Sequence, residues 1–183
     1  MKVFIIRHGE SETNRDGLWT GWLDAPLTEK GRAEAALLKE FLSRVSFDRI
    51  YSSDLVRATT TADIAIPDCR YEKTPQLREI NVGNLAGTPL SQKINVGEDG
   101  YSRFFGESRG EFVGRVEEFM HKLECLDSEN VAIFSHAGWL RSFLDIVLGV
   151  RLSRKNVCCK NCAVAVFEYS ESVWKLYSLI NSF

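Results

Sequence analysis

Lys2-Val3-Phe4-Ile5-Ile6-Arg7-His8-Gly9-Glu10 begins as an apolar run and ends as a polar loop. Val3 to Ile6 do not alternate with polar residues, so this stretch reads as a strand buried on both faces. Asn130-Val131-Ala132-Ile133-Phe134-Ser135 repeats the pattern and runs into His136-Ala137-Gly138. Asp48–Ser52 reads as a third strand, followed by Ser53-Asp54-Leu55-Val56-Arg57, and Arg70–Lys73 as a weaker fourth. Helical periods lie between them. Thr28 offers a cap for a helix carrying Ala33, Leu37, Leu38, Phe41, Leu42 and Val45. Ala58, Ala62 and Ala65 line a short helix that must stop before Pro67. Phe112, Val116, Phe119, Leu123 and Leu126 predict a long helix over residues 111–126. Leu140, Phe143, Leu144, Val147 and Leu148 predict another, ended by Gly149. Residues 163–169 and 173–180 form a terminal hairpin around Ser170-Glu171-Ser172.

Strands that alternate with helices predict an α/β fold of three layers, α/β/α. A mostly parallel central sheet is covered by helices on both faces. The 183 residues fit one domain, 1–183. Residues 15–25 read as loop. Residues 81–110 hold six of the 13 glycines and Pro89, with few periodic apolar positions. A long irregular segment inside a compact domain is usually functional, so 81–110 is expected to be a cap over the C-terminal strand edge.

Composition excludes several classes. With 44% apolar and 26% charged residues, the chain is neither disordered, collagen-like nor a coiled coil. No apolar run approaches the ~18 residues of a membrane span, and Val3–Ile6 is shorter than the ~7–15 residue core of a secretion leader. A net charge of −2 gives no nucleic-acid footprint. Five cysteines, an odd number without a leader, point to reduced thiols and a cytoplasmic location. Cys158, Cys159 and Cys162 lack a second matched pair at zinc spacing, and Cys162 opens an apolar strand, so packing is preferred to metal ligation.

In open α/β sheets ligands bind beyond the carboxyl ends of the strands. If the strands are parallel neighbours, Arg7, His8, Arg57 and His136 meet at one edge, four potential cations in a protein of net negative charge. Such a cluster calls for an anion, and a phosphoryl group suits the paired donors of arginine. A neutral histidine can attack phosphorus, and a second can stabilise developing charge. His121, on the long helix, reads as surface. No glycine-rich nucleotide-binding motif follows a strand.

MKVFIIRHGESETN strongly resembles the opening of the histidine phosphatase superfamily, in its phosphoglycerate-mutase-like branch. The likeness continues through TGWLDAPLTEKG, SSDLVRATTTA, LREINVG, Gly106-Glu107-Ser108 and FSHAGWLR. The resemblance implies a phosphomonoester hydrolase that works through a phosphohistidine on His8. Arg7, Arg57 and His136 would clamp the phosphate, and Asn14 would be a further contact. Glu79 would be the general acid, protonating the leaving oxygen and then activating water. Thr20 and Gly21 match a substrate-contacting stretch of the mutase branch. No metal or cofactor enters this scheme. The substrate is expected to be a small phosphorylated metabolite, and the protein a monomer or homodimer.

Two alternatives share these residues, a phosphoglycerate-mutase-type transfer and a phosphoprotein phosphatase. Mutases of the family carry a longer middle insertion. Here the cap is short, and its Lys93, Arg103 and Arg109 are balanced by Glu98, Asp99 and Glu107, which favours hydrolysis. Small-molecule phosphatases of the family often carry Trp-Glu-Gly where this chain has Leu85-Ala86-Gly87, so the substrate cannot be carried over from them. Tyr101, Phe104 and Phe105 either face the substrate or anchor the cap.

Overall fold

The computed structural model describes every residue except 93, 95, 96, 98, 153–155, 182 and 183, so the expectations for Lys93 and Glu98 lie outside it. Six strands form one sheet in the order β3-β2-β4-β1-β5-β6. They are β1 (Lys2–Arg7), β2 (Arg49–Ser53), β3 (Glu72–Thr74), β4 (Asn130–Ser135), β5 (Val164–Ser170) and β6 (Val173–Ile180). The first four are mutually parallel. The hairpin β5–β6 adds antiparallel strands beside β1. β1 and β4 are buried over four or five consecutive residues, as their unbroken apolar runs require.

Side chains alternate across the sheet and divide the core in two. Val3, Ile5, Val131, Ile133, Ala165 and Phe167 face the helices α4 (Arg109–Glu124) and α5 (Ala137–Leu148). Phe4, Ile6, Ala132, Phe134, Val164 and Val166 face α2 (Glu29–Leu42) and α3 (Val56–Ala65). The three layers are therefore two helices, one mostly parallel sheet and two helices.

Helix ends follow local chemistry. Thr28 accepts from the Gly31 amide at 3.0 Å and caps α2. Gly149 takes φ +63° in the left-handed region and ends α5. α4 begins two residues earlier than its apolar period indicates, because Ser108 and Glu111 form a reciprocal capping box. The loop expected at 15–25 is preceded by a one-turn helix, α1 (Glu12–Arg15), too short for periodicity to reveal. Ser11 caps it. The described residues of 81–108 are irregular apart from two single 3₁₀ turns, Gly83–Leu85 and Ser102–Phe104, and residues 109 and 110 already belong to α4.

Candidate active site

The parallel pairing aligns the strand ends. Arg7 lies opposite Ser135 in the β1–β4 register, so His8 and His136 emerge side by side. Their rings meet edge to face with centroids 5.0 Å apart. β2 delivers Ser53 to the same edge, and the first turn of α3 delivers Arg57. These groups border a cavity of about 760 Å³, lined among others by Arg7, His8, Asn14, Thr20, Gly21, Arg57 and Glu79.

His8 is buried, and its Nδ1 donates to its neighbour's carbonyl, Gly9 O, at 2.7 Å. That bond assigns the proton to Nδ1 and leaves Nε2 as the basic nitrogen. Burial, then the charges of Arg57 and Arg7, hold its pKa well below the ordinary 6.5. The ring is therefore neutral at physiological pH. The loop that carries it is tight. The Gly9 amide donates to Thr61 Oγ1 at 3.1 Å, and a Cβ on Gly9 would collide with the Gly31 carbonyl.

Arg57 is fully buried, and burial pulls its pKa down to about 10 against the opposing pull of Glu79 and Asp24. It remains a cation. Its terminal nitrogens donate to Leu23 O at 2.9 Å and Gly21 O at 2.8 Å. Gly21 is thus a brace for Arg57. Its φ of +49° and the nearness of Val82 exclude a side chain there. Arg57 Nε donates to His136 Nδ1 at 3.2 Å, and His136 Nε2 lies 2.9 Å from Ser53 Oγ. Both ring nitrogens of His136 are therefore engaged within the protein. His136 thus flanks His8 and holds Arg57 in place.

Arg7 Nη1 donates to Cys159 O at 2.6 Å, and Nη2 lies 3.5 Å from Asn14 Oδ1. Asn14 Oδ1 also accepts from Ser11 N and, at 3.1 Å, from Asn161 Nδ2, and Asn14 lines the cavity. Thr20 donates to Thr13 Oγ1 at 2.8 Å at the cavity edge.

Glu79 lines the same cavity as His8, from the segment after β3. Its Oε2 accepts from Gly138 N at 2.9 Å and its Oε1 from Ile80 N at 3.0 Å. A Cβ on Gly138 would fall on Oε1, so glycine leaves room for the carboxylate at the start of α5. Its main-chain carbonyl accepts from Trp22 Nε1 at 2.7 Å and from Arg115 Nη2 at 3.3 Å. Arg115 also pairs with the half-buried Glu107 at 2.9 Å, which fastens the cap to the segment holding Glu79. Glu107 is thus structural.

Tyr101 lines the cavity and packs edge-on against Trp19, with centroids 5.7 Å apart. Phe105 is 83% exposed, and neither Phe104 nor Phe105 lines the cavity. Leu85 is buried under the cap. His121 is exposed beside Glu124. All five cysteines are free thiols, and among the described residues no group of three His, Cys, Asp or Glu side chains could hold a metal ion. No helix of the described residues is long and apolar enough to cross a membrane.

Sequence reasoning missed Asn161, Arg141 and Arg151, all in the cavity wall. Asn161 Nδ2 donates to His8 O at 3.1 Å across 153 residues of chain, a pairing with no local signal. Arg141 does stand in the FSHAGWLR stretch, three residues beyond Gly138 on α5, where helical spacing could have found it.

A buried neutral histidine between two arginines, with a carboxylate held opposite, on the carboxyl edge of a parallel sheet defines a class of α/β proteins that handle phosphoryl groups through histidine. The histidine phosphatase superfamily (branch 1) matches residues 3–182, and the chain belongs to this superfamily. An adenosylcobalamin/alpha-ribazole phosphatase of Salmonella typhimurium is 32% identical, with 76% of each chain covered. The crystal structure of alpha-ribazole phosphatase from Shigella flexneri superposes with a TM-score of 0.85 at 28% identity, covering 100% of this chain and 96% of that one. That of phosphoglycerate mutase from Thermus thermophilus gives 0.77 at 30% identity, with 98% of both chains covered.

Proposed function

We propose that this protein is a phosphatase of the histidine phosphatase type, hydrolysing a small phosphorylated metabolite through a phosphohistidine on His8. The observation that carries the reading is the state of His8: buried, neutral, and fixed by Gly9 with its basic Nε2 left for attack. Arg7 and Arg57, with His136 beside His8, clamp the phosphoryl group, and Asn14 adds an amide donor. Glu79 donates a proton to the leaving oxygen and takes one from the water that cleaves phosphohistidine. Thr20 borders the leaving-group side. No step calls for a metal ion or cofactor. The catalytic load is large, because phosphomonoester hydrolysis enhancements reach ~10²¹-fold, on the order of 29 kcal/mol. Positioning and charge stabilisation must carry most of it.

The chain reads as one domain, 1–183, with 81–110 as a cap that admits water. A cytoplasmic location and a monomer or homodimer fit this reading. Relatives include both phosphatases and a mutase. Hydrolysis is preferred because the cap is short.

The test is phosphate release from a set of phosphomonoesters in EDTA, comparing the protein with His8→Ala. Turnover that disappears in the variant is the expected result. Interconversion of 2- and 3-phosphoglycerate without net release would assign the mutase chemistry instead.

A further inference from the structure

The proposed phosphohistidine chemistry uses Arg7 and Arg57. Among the described residues, the same cavity is lined by five arginines and only two carboxylates, Glu79 and Asp145. The remaining three arginines are Arg109, Arg141 and Arg151. Arg109 Nη2 is 3.4 Å from Asp145 Oδ2, while Asp145 Oδ1 accepts from Leu152 N at 2.7 Å. Asp145 thereby draws the start of α4 and the chain after α5 to one end of the cavity. Arg141 lies one turn before Asp145 on α5, and its side chain rests against the Cys159 sulfur. Arg7 reaches the same Cys159 through its carbonyl. Arg7 and Arg141 thus both border Cys159 in the cavity wall. No carboxylate among the described residues forms an ion pair with Arg141 or Arg151.

A phosphate dianion is matched by the inner pair alone. A cavity of about 760 Å³ leaves space beyond a phosphate, and the charge excess lies in that space. Unpaired arginines in a shared concavity repel each other unless an anion binds between them.

We propose that Arg141, with Arg109 and Arg151, forms a second anion subsite, and that the substrate is a phosphomonoester carrying a second carboxylate or phosphate group. This rests on the phosphatase reading and narrows its substrate. The transferred phosphoryl group sits at His8, and the second anion sits at the α5 end of the cavity. Arg141 is the central residue of the subsite because it is half-buried on α5, whereas Arg151 is exposed.

The test compares three esters of equal length: butyl phosphate, 4-phosphooxybutanoate and butane-1,4-diyl bisphosphate. The wild type is expected to favour one of the two-anion esters by about tenfold or more in kcat/KM, as a charge-assisted hydrogen bond allows. Whichever of the two leads identifies the second group as carboxylate or phosphate. Arg141→Met is expected to collapse that ratio through KM, Arg141→Lys to recover part of it, and the exposed Arg151→Met to lower it less. Equal use of all three esters by the wild type, or a ratio unmoved by Arg141→Met, overturns the subsite while leaving the phosphatase intact. Calorimetry with butylphosphonate, against whichever of 4-phosphonobutanoate and butane-1,4-diylbisphosphonate binds tighter as the two-anion phosphonate, separates the two readings. If no ester turns over, tighter binding of the two-anion phosphonate that Arg141→Met abolishes still supports the subsite. Equal binding overturns it.

Discussion

Nucleophilicity at His8 is a matter of which form the ring can hold. Burial and two neighbouring arginines keep both His8 and His136 neutral, with pKa values well below 6.5. This has a cost for the fold in acid. Below pH 6.5 the unfolded chain binds protons on these rings and the folded protein does not. Stability therefore rises with pH through this window and is lost as pH falls below 6.5, by ~1.4 kcal/mol per unit for each ring. Urea unfolding between pH 7 and pH 5.5, in phosphate-free buffer, is expected to show that slope, and His8→Asn to remove about half of it. An identical slope in the variant would mean that His8 titrates normally. Glu79 gives a second residue-scale prediction. Glu79→Gln keeps a side chain of the same size but has no proton to give. kcat is expected to fall by ~10²–10⁴ on alkyl phosphates and far less on p-nitrophenyl phosphate, whose leaving group needs no proton. Equal losses on both esters would assign Glu79 to positioning alone.

At the scale of elements, the site depends on how closely β1's loop meets α2. Gly31, in the first turn of α2, lies so near that a Cβ would collide with the Glu10 main chain, and Gly9 is equally confined by Gly31. Neither contact is with the end of a flexible side chain, so nothing nearby can give way cheaply. Gly31→Ala is expected to push α2 away from the His8 loop, lowering stability by ~1–3 kcal/mol and weakening phosphate binding. Thermal melting and phosphate titration of the variant measure both. A variant as stable and as tight as the parent would show that the loop moves freely. The capping signals of these elements were legible in the sequence, as Thr28 before α2 and Gly149 after α5 show. The box Ser108-Arg109-Gly110-Glu111 was equally legible and fixes the start of α4 better than its apolar period does. α1 was not legible, since four residues are too few for a period and its cap pairs Ser11 with Asn14.

Across the whole molecule, charge is distributed against its total. The chain carries a net −2, yet five arginines gather in one cavity. A ligand that binds only the folded state stabilises it by RT ln(1 + [L]/Kd), ~2.7 kcal/mol at a hundredfold excess over Kd. Inorganic phosphate is therefore expected to raise the melting temperature at pH 7.5, and chloride at equal ionic strength to raise it much less. An equal rise with both salts would mean general screening rather than a phosphate site. Arg57→Met should abolish the phosphate-specific part of the rise.

The sequence by itself determined the sheet strands, their order along the chain, the two-sided burial of β1 and β4, and the strand-end positions of Arg7, His8, Arg57 and His136. These are local facts, written in unbroken apolar runs and in the polar residues that end them. Tertiary structure alone decided the rest. Only strand pairing sets β1 beside β4 and brings the two histidines into contact. Only the buried network shows that His136 contacts Arg57 through one ring nitrogen and Ser53 through the other. Asn161 enters through the loop after α5, and Arg141 through the face of α5 turned to the cavity. Hydrogen bonds and charge act over a few ångströms in space, and residues 8 and 161 become neighbours only after the sheet has formed.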